Sequence, residues 1–236
     1  MAQAKLLQAQ AYERLRRRLL RGNLETGGRL SHRNLAKKLN ASLGSIRVAL
    51  DRLEGEGLVE CLPQSGVRVR QVNNWEWHEL HDLRSLVECY AARRAARWIT
   101  RAQIERLYKA CADSELAVAA CEESADPTIP ERIVQKAFRA DIDFHGTILR
   151  AARNASALRI VESFHLITKV ASQVPSLPRV VRLRVWRRVP AQHRAIADAL
   201  AAGDAKKAER LMREHMELGR DPDIFGRPPE GSNECR

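Results

Sequence analysis

Apolar residues recur every three or four positions in three short segments of the first 57 residues, which predicts three helices. Glycines at positions 22, 27 and 28 mark a turn between the first segment and the second. Ser31 and Ser42 precede the second and third segments, where a hydroxyl side chain can cap a helix. The predicted inner faces hold Leu6, Leu7, Tyr12, Leu15 and Leu19 on the first helix (residues 4–21), Leu35, Ala36 and Leu39 on the second, and Ile46, Ala49, Leu50 and Leu53 on the third.

Beyond the third helix, which is expected to stop at Gly55 or Gly57, apolar and polar residues alternate. The segments LVECL and GVRVRQV show this alternation, and PQSG stands between them, so they predict a two-stranded hairpin. Two helices, a tight turn, a third helix and a hairpin follow one another with short connections. That order is typical of a winged helix-turn-helix, a DNA-binding architecture.

After Val72 the helical period returns and alternating segments become rare. This pattern predicts an all-α bundle of about six helices, and a mainly α fold for the whole chain. The expected domains are a winged helix-turn-helix at 1–72, a helical domain at 73–220 and a loosely ordered tail at 221–236, which is rich in proline, glycine and charge. The six predicted helices cover residues 75–97, 100–124, 129–152, 154–174, 178–202 and 204–219.

The net charge of the chain indicates what kind of partner it binds. The net charge is +12 and the pI is about 10.1. Residues 1–72 carry 14 lysines and arginines against 6 acidic residues, which is two thirds of the excess. A basic first third indicates an acidic partner, with nucleic acid as the first candidate and a membrane surface as the second.

Three further features of the sequence point to the cytosol. The chain has no apolar run near the roughly 20 residues that are needed to cross a bilayer. Its N-terminus lacks the apolar centre and the cleavage site of a signal peptide. The five cysteines are odd in number and show no CxxC spacing, which favours reduced thiols over a disulfide framework or a zinc knuckle.

The start of the third helix offers groups that suit DNA, because this part of a recognition helix points into the major groove. Arg47 can donate two hydrogen bonds to a guanine or bind a phosphate. Ser42 and Ser45, together with the exposed amides near them, suit a phosphate. The alternative for an arginine in this place is a solvated surface residue. The outward face is predicted to hold Ser42, Leu43, Gly44, Ser45 and Arg47.

Asp141 and His145 lie four residues apart in a largely apolar segment, so they share one face of a helix. They are either a polar pair at the edge of the core or half of a metal site. His193 and His215 flank a reversal at Gly203, which could bring both imidazoles to similar heights on two antiparallel helices. One carboxylate and three imidazoles would suit zinc, nickel or another divalent transition metal.

The combined pattern resembles the GntR family of bacterial transcription regulators, in the FadR-type branch with an FCD effector domain. The N-terminal resemblance lies in LSHRNLAKKLNASLGSIRVALDRLEGEGLVECLPQSGVRV. The C-terminal resemblance lies in LHDLRSLVE, DIDFHGTILRAARN and QHRAIADALAAGDAKKAERLMREHM. It covers roughly residues 8 to 218, which is nearly the whole chain.

This resemblance implies roles for several residues. Asp141, His145, His193 and His215 match the ligand pattern of metal-containing FCD domains. Arg84 is expected to hold a small organic acid, unless it only forms an ion pair with Glu88. Asn154 is expected either to line the effector pocket or to cap the next helix. Further DNA contacts are implied for Arg33 and for the wing tip at Gln64, Ser65 and Gly66.

Some positions depart from the family pattern, so the operator sequence cannot be inferred from relatives. Leu43 stands where family members usually have an arginine, and Val48 where a glutamate is common. Gly44 and Ser45 replace the usual threonine or proline, and Gln192 replaces an acid before the first late histidine.

The expected function is that of a ligand-responsive regulator, which binds operator DNA as a homodimer and senses a small carboxylic acid. One alternative is a metal-dependent hydrolase that uses the same Asp/His site. The sequence contains none of the HExxH, Gly-x-Ser-x-Gly or phosphate-loop motifs that would support it. The other alternative is an architectural protein that binds DNA without sequence preference.

Overall fold

The computed structural model describes residues 2–20, 23–24, 27–62, 66–72, 74–123, 130–171 and 186–219. The fold is mainly α, with one small antiparallel sheet near the N-terminus, as the sequence predicts. The front part has three helices and three strands: α1 (Ala2–Leu20), β1 (Arg29–Leu30), α2 (His32–Leu39), α3 (Leu43–Gly55), β2 (Val59–Leu62) and β3 (Gly66–Val69).

Serine caps define where α2 and α3 begin. The Ser31 hydroxyl accepts a hydrogen bond from the backbone N–H of Asn34, and the Ser42 hydroxyl accepts one from Ser45. Asn40 ends α2 in the left-handed conformation, with φ of 45°, which turns the chain toward α3. These caps confirm the predicted helix starts. The buried core of this part includes Tyr12, Leu15 and Leu19 of α1, Leu35 and Leu39 of α2, and Ile46, Ala49, Leu50 and Leu53 of α3.

The inner face predicted for the first turns of α1 is wrong. Leu6 and Leu7 are 58% and 53% exposed, whereas burial begins at Ala11. The reason is length: α1 has 19 residues and its packing partner α3 has 13, so at 1.5 Å per residue α1 is about 9 Å longer. The extra turns keep the apolar spacing but have no described helix to pack against.

The turn region after α1 contains a strand that the sequence pattern does not reveal. β1 pairs antiparallel with β3, and β3 pairs with β2, so the strand order is β1-β3-β2. Leu30 lies opposite Val67, and both are buried. A two-residue strand is too short to show an alternation, so only the hairpin was predictable.

In the described ranges six helices follow, and all but the fifth lie close to the predicted bounds. The capping box of Thr100 and Gln103 fixes the start of the second of them. The prediction of one continuous helix over 178–202 is wrong, because residues 187 and 188 form a turn and the helix begins at Val189, with Pro190 in its first turn. Residues 178–185 of the fifth predicted helix and the whole 221–236 tail lie outside the described part. The helices are α4 (Asn74–Ala95), α5 (Arg101–Glu122), α6 (Glu131–Ala151), α7 (Ala155–Ala171), α8 (Val189–Ala201) and α9 (Ala205–Gly219).

The chain forms two compact units. One contains the first 73 residues and a segment that begins at Ser163; the other contains Asn74–Glu162 and the last two helices. In the second unit, α5 packs on α6 and α8, α9 packs on α4 and α8, and α4 also packs on α6. Its core includes the fully buried Leu107, Phe144, Ile148, Leu149, Ile196 and Leu200.

Within the described ranges, no helix combines the length and the low charge that a bilayer-spanning segment requires.

Candidate metal centre

Two ligand candidates lie on α6, on the side that packs against the other helices. Phe144 and Ile148 are fully buried on this helix, and their spacing turns the neighbouring His145 into the interior. His145 has no exposed surface, whereas 31% of the Asp141 side chain is exposed. The site therefore has a closed histidine side and an edge at Asp141.

The other two candidates come from α8 and α9, which are joined by a tight reversal. Gly203 has φ of +69°, and the Asp204 carboxylate accepts a hydrogen bond from the N–H of Lys207 at 3.0 Å, so it caps α9. This turn lays α9 back along α8. It brings His193 and His215, both buried, to the same height.

All four donors converge on one point. The three histidines all present Nε2: His215 Nε2 lies 3.2 Å from both His193 Nε2 and His145 Nε2. Asp141 Oδ1 lies 3.6 Å from His145 Nε2 and 3.7 Å from His193 Nε2. No two of the four ligand atoms are more than 4.8 Å apart. The prediction that three helices contribute one carboxylate and three imidazoles to a single cluster agrees with this geometry.

The donor set fits a divalent transition metal. Metal–nitrogen distances of about 2.0–2.1 Å put neighbouring ligand atoms roughly 2.8–3.0 Å apart in octahedral coordination and roughly 3.3–3.4 Å apart in tetrahedral coordination. The observed contacts of 3.2 Å are close to the tetrahedral value, and those of 3.6 and 3.7 Å are slightly longer. Three imidazoles with one carboxylate favour zinc or nickel over calcium or magnesium, which prefer oxygen ligands.

Two of the histidines are oriented by partners behind the cluster. His145 Nδ1 contacts Oε2 of Glu88, a carboxylate on α4 that is 1% exposed. His215 Nδ1 lies 3.1 Å from Oε1 of Gln192. A hydrogen bond to Nδ1 fixes the ring and directs the Nε2 lone pair toward the cluster, as is usual for metal-binding histidines.

The third histidine is held differently. The His193 ring stacks on Phe144, with centroids 3.9 Å apart and an interplanar angle of 7°. Its Nδ1 is buried and has no hydrogen-bond partner among the residues that the structure describes. Packing rather than hydrogen bonding therefore sets its orientation.

The electrostatics of the cluster favour a cation. Burial works against the charge of Asp141, but His145, His193 and Arg84 hold the pKa of its carboxyl well below the usual range. Burial together with His215 and His145 holds the pKa of His193 well below its usual range. Burial and His145 lower the pKa of His215 to about 3. Near neutral pH both imidazoles are therefore neutral, which is the form that binds a metal.

His145 shows the sign of the local field. Burial alone would lower the pKa of His145, but Glu88 and Asp141 raise it to about 9. Unlike His193 and His215, His145 is therefore protonated near neutral pH in the metal-free cluster, and a metal would replace that proton as the positive charge that the two carboxylates favour.

Arg84 lies behind this cluster on α4. Its Nε donates to Glu88 Oε1 at 2.6 Å, and its side chain is 15% exposed. The ion pair that was the alternative to effector binding is therefore present. Since Glu88 also contacts His145, Arg84 is linked to a ligand candidate through one carboxylate. Its effector role stays a prediction.

Asn154 caps a helix. Its Oδ1 accepts hydrogen bonds from the N–H groups of Ser156 and Ala157, each at 3.1 Å, at the start of α7. Its Nδ2 donates to the hydroxyl of Tyr90. These contacts account for the asparagine without an effector, and its place in a pocket stays a prediction.

The DNA-binding candidates are distributed over the N-terminal, winged helix-turn-helix part of the chain, here called the front unit. Arg33, Ser42, Gly44 and Arg47 are exposed. Gly66 is exposed at the start of β3 with φ of +85°, which suits the tight turn of a hairpin. Gln64 and Ser65 lie outside the described residues.

Ser45 does not lie on the outward face, so that part of the prediction is wrong. It is 6% exposed, its N–H donates to the Ser42 hydroxyl at 3.1 Å, and the two hydroxyls are 2.9 Å apart. The third residue of α3 therefore turns back to the cap rather than outward.

Glu88 and Gln192 are the positioning residues whose role the sequence did not reveal. Both attracted notice for other reasons, Glu88 as a helical partner of Arg84 and Gln192 as a departure from the family pattern. Only the packing of α4 and α8 shows that they face His145 and His215.

Two family models match the chain. The model for bacterial regulatory proteins of the gntR family matches residues 7–69, and the FCD domain model matches residues 79–218. A probable D-xylose utilization operon transcriptional repressor of Paenarthrobacter nicotinovorans is 29% identical over 203 residues, which is 84% of this chain and 80% of the relative. The HTH-type transcriptional repressor RspR of Escherichia coli K12 is 26% identical over 208 residues, 88% of this chain and 85% of the relative.

The fold also matches solved structures. E. coli McbR/YncC aligns with a TM-score of 0.70 at 19% identity, over 90% of this chain and 94% of that one. A GntR protein from Rhodococcus sp. RHA1 aligns with a TM-score of 0.71 at 21% identity, over 94% and 99%. The hydrolase alternative is wrong, because the matching families and relatives are transcription regulators and not enzymes. The chain belongs to the GntR family of bacterial regulatory proteins and is a transcription regulator with an FCD domain.

Proposed function

We propose that this regulator binds a divalent transition metal in its helical domain and senses a small carboxylic acid there. The observation that carries the proposal is the convergence of three Nε2 atoms and one carboxylate oxygen, within 4.8 Å of one another. Two of the three histidines are held in the ligand orientation by buried or partly buried partners.

Asp141, His145, His193 and His215 would hold the metal, with zinc or nickel as the best fit to this donor set. When bound, the ion supplies a Lewis-acidic centre to which a carboxylate can add. Glu88 and Gln192 position two of the ligands. The partly exposed Asp141 marks the edge from which a small acid would reach the centre.

Arg84 is proposed to bind a part of the acid that the metal does not hold: either the second oxygen of the metal-bound carboxylate or a polar group at the opposite end of the acid. A guanidinium matches a carboxylate in shape and charge, and it keeps its charge at all relevant pH values. The described hydrogen bond of Arg84 uses Nε, so its terminal nitrogens are the groups that would meet the acid. Asn154 is kept as a second candidate, although its described contacts are those of a helix cap.

The operator is proposed to contact the front unit. A homodimer would place two copies of α3 in successive major grooves of a near-palindromic site. The acid would change operator affinity by binding one arrangement of the dimer more tightly than the other. Ser45 is excluded as a contact because it is buried. The proposed contacts are Arg33, Ser42, Gly44 and Arg47, with Gln64, Ser65 and Gly66 at the wing tip.

Metal content tests the first half of the proposal. Purified wild-type protein should contain about one metal ion per chain, and the double variant His193→Ala/His215→Ala should contain none. His32→Ala, which removes an imidazole on α2, is the matched control and should keep the metal. Stoichiometric metal in the double variant would show that the ligand assignment is wrong.

A thermal-shift screen of small carboxylic acids tests the second half. On metal-loaded protein, an acid that binds should raise the melting temperature, since a ligand at 100 times its Kd adds about 2.7 kcal/mol of stability. The shift should disappear with Arg84→Ala and with the metal-free double variant. A hit that stabilises all three proteins equally binds elsewhere.

A further inference from the structure

The first half of α3 exposes two large apolar side chains on the surface that faces away from its buried side. Leu43 is 52% exposed and Val48 is 44% exposed, and both stand beside the exposed Gly44 and Arg47. At 100° per residue these four positions fall within one sector of about 140°. The buried residues of the helix lie in the opposite sector: Ser45, Ile46, Ala49, Leu50 and Leu53.

Charge shows which partner suits this face. Within this sector, the N-terminal half of α3 carries Arg47, while the C-terminal half carries the exposed Asp51 and Glu54. A polyanion is repelled at the acidic end and attracted at the start of the helix, where Arg33 of α2 is also exposed. The apolar residues therefore lie at the end of α3 that favours DNA.

Resting on the proposed operator binding through α3, we propose that Leu43 and Val48 read thymine methyl groups in the major groove. The 5-methyl group of thymine is the apolar group that base pairs display in this groove, and apolar side chains recognise it by contact. Burial of one methyl group is worth roughly a fourfold gain in affinity. The operator half-site should therefore contain at least two thymines, one in contact with Leu43 and one in contact with Val48.

Gly44 supports a close approach at the same place. A Cβ at this position would meet only the Ser42 hydroxyl oxygen, at 3.9 Å, and the backbone is not left-handed. Alanine would therefore fit, and it favours a helix more than glycine does. Within the described chain nothing requires glycine here. Its position between Arg47 and Val48 in the exposed sector lets the backbone come near the base edges.

The test starts from the full-length protein and a randomised duplex library. Selected duplexes should contain an enriched motif, and each of its thymines is then replaced by deoxyuridine, which lacks only the methyl group. Wild-type protein should bind roughly fourfold more weakly at each contacted thymine. Equal binding to thymine and deoxyuridine duplexes would overturn the inference.

Variants assign the contacts to residues. Leu43→Ala and Val48→Ala should each abolish the thymine preference at their own position, so that the affinity ratio falls to one there. Leu116→Ala, which truncates a 69% exposed leucine on α5, is the control and should keep every ratio. Ratios that persist in both α3 variants would contradict the assignment.

Gly44→Ala separates binding from folding. It should weaken binding to the selected duplex while the melting temperature stays the same or rises; unchanged binding would refute the close approach. If the library yields no enriched motif, the inference and the proposed operator recognition fail together. A motif without methyl dependence overturns the inference alone.

Discussion

Glu88 connects Arg84 with His145, a ligand candidate of the proposed metal centre. Its carboxylate is 1% exposed, so water cannot satisfy it. One oxygen accepts from Arg84 and the other contacts His145, so both ends of the charge are used. Removal of either partner leaves a buried charge with less compensation, which costs several kcal/mol in typical proteins.

Glu88→Gln should weaken metal binding by about 10- to 100-fold, because the amide is a poorer acceptor for His145 Nδ1 than a carboxylate. The measurement is competition with a chelator of known affinity. Glu105→Gln is the matched control, since Glu105 also pairs with an arginine four residues earlier, Arg101, but on the exposed surface of α5. Equal metal affinity in the two variants would contradict the positioning role.

At the scale of the helices and strands, local signals in the sequence were sufficient wherever a cap or a period decides the outcome. Ser31, Ser42 and Thr100 are caps that bond to backbone N–H groups three residues on, and they lie at the predicted starts or next to them. The Asp141 and His145 spacing also follows from helix geometry alone. These features depend on neighbours in the sequence, so a pattern reveals them.

What the sequence did not reveal depends on packing between elements. Leu6 and Leu7 have the correct spacing for burial but extend beyond the helix that could cover them. The pairing of β1 with β3 joins residues almost 40 positions apart. Glu88 meets His145 from another helix, 57 positions away in the chain. The sequence identified these residues, but it did not show which elements pack against one another.

The reversal at Gly203 gives a prediction about an element. Its φ of +69° is left-handed, so Gly203→Ala should lower the free energy of unfolding by about 1 kcal/mol, although a Cβ would meet nothing closer than 3.8 Å. Gly203→Asn should cost less, because asparagine tolerates this conformation better. Urea denaturation measures both.

Gly55→Ala serves as the control for this series. No atom lies within 4 Å of a Cβ at Gly55 and its φ is not left-handed, so alanine should be neutral or stabilising there. If Gly203→Ala and Gly55→Ala had the same effect, the left-handed turn would not explain the cost.

For the whole molecule, the uneven charge predicts strong salt dependence of DNA binding. A helix-turn-helix positions itself by phosphate contacts from its first helix and reads bases from the second. Arg33→Ala should therefore reduce the slope of log affinity against log salt by about 0.9, the value for one lost phosphate contact. Arg47→Ala should cost about 1–3 kcal/mol with little change in slope.

Titrations of the selected duplex at several salt concentrations give both quantities. Arg101→Ala removes an exposed arginine of the helical unit and should change neither. A reduced slope for Arg47→Ala at constant sequence preference would mean that Arg47 contacts a phosphate instead of a base.

The carboxylate shared by Arg84 and His145 has a consequence for any acid that enters the centre. An acid that bound as proposed would compete with Glu88 for the guanidinium of Arg84, and the Glu88 charge that Arg84 released would then act on the His145 imidazole. Binding of an acid at Arg84 would thus change the electrostatic environment of His145 without movement of the backbone. Since Arg84 and Glu88 lie on α4 and His145 lies on α6, the acid would couple these two helices electrostatically.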